Sequence, residues 1–233
     1  MIDKLRNRIL EVALRDSMGH IPSALSILDI IWVLYDKVLK EDDQFILSKG
    51  HGCMALYAVL EEKGLLDWSS KLWGHPKRGG AILASTGSLG HGLPMAVGLA
   101  MAKKIKGENG RVFCLIGDGE CNEGTVWESA MIAAHHKLDN LTVIIDQNHS
   151  SDRALDNKSL YEKFWAFGWN AGTPNSGHDQ DSLELWLSST AGDGKPVMLL
   201  CNTIKANGVP FMQSPEWHNK KITQQDYEKA ISS

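Results

Sequence analysis

Two short strings have residue types and spacing that suit joint chemistry: Gly117-Asp118-Gly119 and Asp146-Gln147-Asn148. Each closes a compact apolar run, Val112 to Ile116 in the first case and Leu141 to Ile145 in the second. A segment of helical composition, Glu123 to Leu138, lies between them. The order is strand, loop, helix, strand, loop. In a parallel βαβ unit both loops reach the carboxyl edge of the sheet, where open α/β folds bind ligands, so Asp118 and Asn148 are expected to face one crevice. A carboxylate, an amide oxygen and a nearby main-chain carbonyl suit a divalent cation that also carries diphosphate oxygens. Magnesium takes about six oxygen ligands and keeps phosphate and water among them. Gly119 lets the backbone approach a phosphate closely, and its N–H, with the start of the following helix, suits an anion. Alone, Gly-Asp-Gly reads as a tight turn after a strand. The second strand ending in Asn, about thirty residues on, favours a ligand site.

The elements that must position these loops fit one well-packed α/β domain over residues 1–233. Hydrophobic residues make up 43% of the 233 and charged residues 22%, as in an ordinary globular protein, and the formal net charge is −4 with no Lys/Arg block. This argues against a nucleic-acid or membrane surface. The four cysteines (Cys53, Cys114, Cys121 and Cys201) show no Cys-x-x-Cys spacing, which points to structural thiols in a reducing cytoplasm. Met1 to Asp16 mixes charges with Leu5, Ile9, Val12 and Ala13 at helical spacing and lacks the apolar core of a signal peptide. No stretch approaches transmembrane length.

Further loops carry histidines. His20 lies between Gly19 and Pro22, ahead of an apolar helix for which Ser23 is the expected N-cap. His51 sits between Gly50 and Gly52 before a helix from about Cys53 to Lys63; the flanking glycines leave its imidazole uncrowded. From Trp73 to Gly92 the chain is rich in glycine, with His75 in Gly74-His75-Pro76 and the run Ser85 to Gly90, and a helix from Leu93 to Ile105 follows. Further on, Leu160 to Trp169 reads as an aromatic-rich helix, Gly177-His178-Asp179 as a loop, Leu183 to Leu187 as part of a helix and Pro196 to Thr203 as a buried strand. Trp217-His218 comes in the tail. Each histidine taken singly reads as a solvated or turn residue.

Taken in order, these strings resemble the transketolase family. Gly117-Asp118-Gly119 with Asn148 is similar to the thiamine-diphosphate fingerprint. The resemblance extends through Gly-Asp-Gly-Glu-Cys-Asn-Glu-Gly (117 to 124), Glu128, Ser17-x-Gly19-His20, Leu47 to Gly52, Gly74-His75-Pro76, Ser85 to Gly90, Gly177-His178-Asp179 and Trp217-His218, from about Ser17 to Asn219. It implies the thiamine-diphosphate-binding fold: α/β, three layers, a doubly wound, mostly parallel sheet with helices on both faces. It implies that Asp118, Asn148 and the carbonyl of Ser150 ligate Mg2+ or Ca2+. Gly119 and His51 would face the diphosphate of thiamine diphosphate, with Gly117 in the same turn, and Gly87 and Leu89 would lie near the thiazolium. His20, His51, His75 and His218 would line the channel to its reactive carbon, with His218 also touching cofactor. Glu123 and Glu128 match carboxylates at the family's subunit contact; charge at a helix start is the plainer reading of both. Pro22-Ser23 stands where the family often has two glycines, and Gln147 where Asp or Asn is frequent.

In full-length transketolases a second domain supplies the glutamate that activates the aminopyrimidine ring, and most contacts to the substrate phosphate. The resemblance therefore implies a split transketolase in the cytoplasm. This chain would be its amino-terminal subunit and a separate carboxyl-terminal chain its partner, with two copies of each (α2β2). The pair would move a two-carbon ketol unit from a ketose, phosphorylated or sulfonated, to an aldose. Other readings are a subunit of another thiamine-diphosphate enzyme (deoxyxylulose-phosphate synthase or dehydrogenase E1) and a non-catalytic homologue.

Overall fold

The computed structural model describes residues 1–152, 155, 157–189 and 193–232. Among these, β1 (Gln44–Leu47), β2 (Val112–Gly117), β3 (Leu141–Gln147), β4 (Asn170–Gly172) and β5 (Val197–Asn202) form one sheet in the order β1-β2-β3-β5-β4. Every pairing is parallel. Successive side chains on a strand point to opposite faces. Phe113 and Leu115 of β2 accordingly enter one apolar core, together with α1 (Ile2–Asp16), α2 (Ile21–Val33), α3 (Cys53–Glu62), α7 (Gln180–Ser188) and α8 (Gln224–Ile231). Val112, Cys114 and Ile116 enter a second core with α4 (Gly92–Lys106), α5 (Gly124–His135) and α6 (Leu160–Ala166). Helices therefore cover both faces of a parallel sheet, the three-layer α/β arrangement expected from the sequence. Both faces of β2 and β3 being buried explains their near-continuous apolar runs. All four cysteines are buried and unpaired.

Local differences have local causes. Gln44–Leu47, read only as the run leading to His51, is an edge strand paired to β2. The aromatic run Leu160 to Trp169 is split: the helix ends at Ala166 and Gly168, with φ +91°, turns the chain into the short strand β4. The helix after β2 starts at Gly124 and ends at His135. Ser23 is not the cap of α2. That helix begins at Ile21 with His20 as its N-cap, because Pro22 falls within the first turn, where its missing N–H costs nothing. His20 adopts φ +62°, an uncommon value for a side chain of this size.

The parallel sheet gathers the exits of β1, β2, β3 and β5 at one edge. There sit Lys49 and His51 after β1, Asp118 after β2, Asn148 after β3 and Lys205 after β5.

Candidate functional site

The β2–β3 register pairs Gly117 with Asp146, so Asp118 and Asn148 emerge side by side. One Asp118 carboxylate oxygen accepts the N–H of Gly119 at 2.8 Å and the other accepts the N–H of His149 at 2.8 Å, joining the two loops. The Gly119 amide expected to meet an anion is thus taken by Asp118, and a 3₁₀ turn, Asp118–Asn122, separates it from the start of α5. Gly117 contacts the Lys49 stem. Asn148 donates from Nδ2 to Asp146 at 2.9 Å, and its Oδ1 accepts the Ser150 N–H at 3.1 Å. A carboxylate only accepts, so Asp146 fixes which end of the Asn148 amide is oxygen.

Asp146 is the hub. Fully buried, it takes Lys49 Nζ, Ser26 Oγ at 2.9 Å, Thr203 Oγ1 and Asn148 Nδ2. Lys49, also buried, donates further to the Ser23 carbonyl at 3.1 Å. A second buried carboxylate, Glu120, accepts from Ser48 Oγ at 2.6 Å, Gly90 N at 3.0 Å and Gly117 N at 2.9 Å. It ties the end of β1, the glycine-rich loop and the Gly-Asp-Gly turn together. Neither Lys49, Asp146 nor Glu120 was singled out from the sequence. A charged residue directly before or after a strand-ending glycine was the signal available for Lys49 and Glu120.

This donor set fits a hard divalent cation. Burial, and then the Asp146 charge, push the Asp118 carboxyl above the usual range. The buried cluster of Asp118, Asp146 and Lys49 thus carries one negative charge more than positive, which a bound cation offsets. Among the described residues no group of three or more His, Cys, Asp or Glu is arranged to hold a metal. That leaves one carboxylate with amide and main-chain oxygens, a set suited to Mg2+ or Ca2+ rather than zinc. Beside it opens a cavity of about 370 Å³ lined by Asn148, His149, Ser150, Lys205, Gln213, Pro215 and His218. Lys205, half-buried here, suits an anion; its position at the exit of β5 was the overlooked signal.

His20, His51, His75 and His218 meet. Ring centroids lie 5.3 Å apart for His20–His51, 5.1 Å for His20–His218, 6.0 Å for His51–His218 and 6.5 Å for His20–His75. Burial, then the neighbouring His218, lowers His20 to about 4; burial, then Lys49, lowers His51 to about 2; burial, then Lys205, lowers His218. His20 and His51 are therefore neutral at neutral pH, each able to donate at one nitrogen and accept at the other. Lys205 Nζ lies 3.1 Å from His218 Nδ1. An ammonium only donates, so the His218 proton resides on Nε2. His20 Nδ1 is buried without a hydrogen-bond partner among the described residues, open to a ligand group. A second cavity of about 220 Å³ lies against His20, His51 and His75.

Close contacts explain the glycines. A methyl group on Gly50 would come within 3.1 Å of the His75 ring, and one on Gly52 within 2.6 Å of Ile27, so this pair serves packing rather than freeing His51. Gly87 has φ +140° and a methyl there would come within 2.9 Å of the His75 ring. Leu89 is exposed in the same loop. Glu123 is half-buried at the start of α5, and Glu128 is exposed on its outer face, away from the buried cluster. His178 accepts the Ile204 N–H at 2.8 Å and lies 2.9 Å from Asp29, bracing the exit of β5.

The depressed histidines set a pH dependence. An unfolded imidazole titrates near 6.5. Below that value the unfolded chain gains protons that the folded chain refuses, so this stability is complete above pH 6.5. It is lost as pH falls toward 4 for His20 and toward 2 for His51. The melting temperature is expected to fall from pH 7 to pH 5, less steeply in a His20→Gln/His51→Gln variant. Parallel pH profiles would contradict the neutral, buried assignment.

The domain model described as "Transketolase, thiamine diphosphate binding domain" matches residues 1–230. The chain belongs to this transketolase family. It is 34% identical to one of the two-subunit apulose-4-phosphate transketolase chains, that of Phocaeicola vulgatus, covering 98% of this chain and 90% of that one. It is also 34% identical to the 6-deoxy-6-sulfo-D-fructose transketolase subunit SqwG of Clostridium sp., covering 98% and 92%. The solved transketolase of Campylobacter jejuni superposes with a TM-score of 0.84 at 25% identity, covering 99% of this chain; this family member therefore spans 42% of that solved chain.

Proposed function

We propose that the chain is the amino-terminal subunit of a split, thiamine-diphosphate-dependent transketolase that transfers a two-carbon ketol unit from a ketose to an aldose. The observation that carries this is the meeting of two parts at one sheet edge: the Asp118–Asn148 pair and a cluster of mostly neutral histidines. In this reading Asp118, Asn148 and the Ser150 carbonyl hold Mg2+ or Ca2+. Gly117, Gly119, His51, Lys205 and His218 face the diphosphate, with Gly87, Leu89 and Glu123 around the cofactor. Bound thiamine diphosphate supplies the carbon nucleophile and electron sink for breaking and remaking a carbon–carbon bond. The chain's own part is to hold and to move protons. His20 offers a free, buried Nδ1 to a substrate hydroxyl, His218 donates from Nε2, and His51 and His75 complete a wall whose neutral rings switch between donor and acceptor without a trapped charge.

A separate carboxyl-terminal subunit completes the site, two copies of each chain assembling. The names of the two relatives, each given as one subunit of a transketolase, support this, since the chain spans nearly their whole length. So do Met95 and Ile105 of α4 and Met131 and Ile132 of the adjacent α5, apolar side chains left exposed on neighbouring helices. Such a patch marks a partner surface. One relative's name carries a phosphorylated and the other a sulfonated sugar; an anionic ketose is the donor class that follows for this chain. Among the described residues no helix is long and apolar enough to cross a membrane, which accords with a cytoplasmic assembly. The assembled pair is expected to release glyceraldehyde phosphate from xylulose phosphate in the presence of an aldose acceptor. Pyruvate decarboxylation instead would move the chain to another thiamine-diphosphate enzyme, and full turnover by the chain alone would remove the partner.

A further inference from the structure

Of the four channel histidines, three are held by regular structure. His20 caps α2, His51 lies in the 3₁₀ turn Gly50–Gly52 before α3, and His218 follows the 3₁₀ turn Pro215–Trp217. His75 is different. Residues 63–91 contain neither helix nor strand, apart from one bridge between Gly79 and Ile82. A segment of that length has many conformations open to it, and placing one side chain on it costs conformational entropy unless the backbone is pinned.

Three pins are present. The Arg8 and Arg15 guanidiniums donate to the Trp68 carbonyl at 3.1 and 3.3 Å. Thr86 donates its hydroxyl to the Leu47 carbonyl at 2.6 Å and its N–H to the Pro76 carbonyl at 3.2 Å. Between these anchors, Tyr57 of α3 reaches the segment at His75 itself. Its hydroxyl lies 3.0 Å from the Trp73 carbonyl and 3.0 Å from the His75 carbonyl, so one phenolic proton is shared between the carbonyls on either side of Gly74. Tyr57 is 1% exposed and its ring meets Trp68 edge-on at 5.6 Å. The donor is thus carried by a rigid, packed side chain. Gly74, with no Cβ contact within 4 Å, brings no side chain of its own to the turn. On the far side the His75 ring rests against Gly50 and Gly87, leaving no slack for a shift of the backbone.

We infer that Tyr57 is a positioning residue for His75, its hydroxyl clamping the Trp73 and His75 carbonyls so that the imidazole faces His20 across the channel. The inference rests on the proposed ketol transfer for its functional meaning, while its geometry stands independently. Tyr57 touches neither the Asp118–Asn148 pair nor the cavity beside it, so its contribution is separable from cofactor binding.

The test is Tyr57→Phe, which keeps the ring packed on Trp68 and removes only the hydroxyl. In the assembled pair, kcat/KM for the ketose donor is expected to fall about tenfold, since small misplacements of catalytic groups cost this much or more. The Kd for thiamine diphosphate with Mg2+ stays within about twofold of wild type. In a His75→Ala background the same substitution is expected to change nothing further, because residues acting through one another are non-additive. Unchanged turnover, or an equal loss in the His75→Ala background, would overturn the inference. Should the wild-type pair transfer no ketol unit, the proposed function fails. The role of Tyr57 is then decided on the chain alone by the 15N resonances of the His75 imidazole: a shift in Tyr57→Phe supports it, and superimposable spectra overturn it.

Discussion

Replacing Asp118 by alanine is expected to abolish metal-dependent binding of thiamine diphosphate, raising its Kd well beyond the 10–100-fold typical when an outer-shell partner of a metal ligand is lost. Asp118 is the carboxylate of the proposed ligand set, and the charge balance of the buried cluster turns on it. Its oxygens also join the β2 and β3 loops through the Gly119 and His149 N–H groups. The alanine variant would therefore lose both the ion and the approach of Asn148. Asp118→Asn separates the two roles. It retains an acceptor for one of those N–H groups while removing the charge, so it is expected to keep its fold by circular dichroism yet bind no better than the alanine variant. Calorimetric titration of both variants checks this. Wild-type affinity in Asp118→Ala would put the metal elsewhere.

The largest stability effect is expected at Lys49→Met. Lys49 and Asp146 are both buried and paired. Removing one partner leaves an uncompensated charge in a low-dielectric interior, at a cost of about 3–5 kcal/mol. For a chain of this size that corresponds to a fall in melting temperature of about 6–20 °C. Replacing both residues, Lys49→Met with Asp146→Leu, removes the charge imbalance and is expected to recover much of that loss in thermal denaturation. It does not recover cofactor binding, because Asn148 then has no carboxylate to hold its amide in place. A double variant that regained both stability and thiamine-diphosphate affinity would show that the pair serves folding alone.

The central βαβ unit was legible because its signals are local. Two apolar runs of strand length, each broken by Gly or Asp, need no tertiary information, and their pairing places Asp118 beside Asn148. Gln44–Leu47 escaped because four residues directly before a glycine-rich turn carry almost no periodicity. The split between α6 and β4 was hidden because both contribute aromatic and apolar residues to one core, so the run looks continuous. Ser23 misled because N-cap preference was weighed without the permissive place of Pro22 in the first turn. At the site, the strings holding the four histidines could be picked out one by one. Their convergence to ring separations of 5.1–6.5 Å is a property of the sheet edge that no single string carries. The roles of Lys49 and Asp146 were invisible for a further reason: a buried ion pair is made by residues 97 positions apart, and each alone looks like a solvated charge. Tyr57 reads as one more apolar position of α3 until its hydroxyl is seen between two carbonyls.

The measurement that tests the central claim most directly is isothermal titration of thiamine diphosphate with Mg2+ into this chain, first alone and then mixed with its carboxyl-terminal partner. Weak or absent binding alone and tight, Mg2+-dependent binding in the mixture is the predicted result, since the chain holds the diphosphate and metal side and the partner closes over the rest. Absence of binding in a mixture whose two chains demonstrably assemble would contradict it, and with it the assignment of Asp118 and Asn148 as the metal-holding pair.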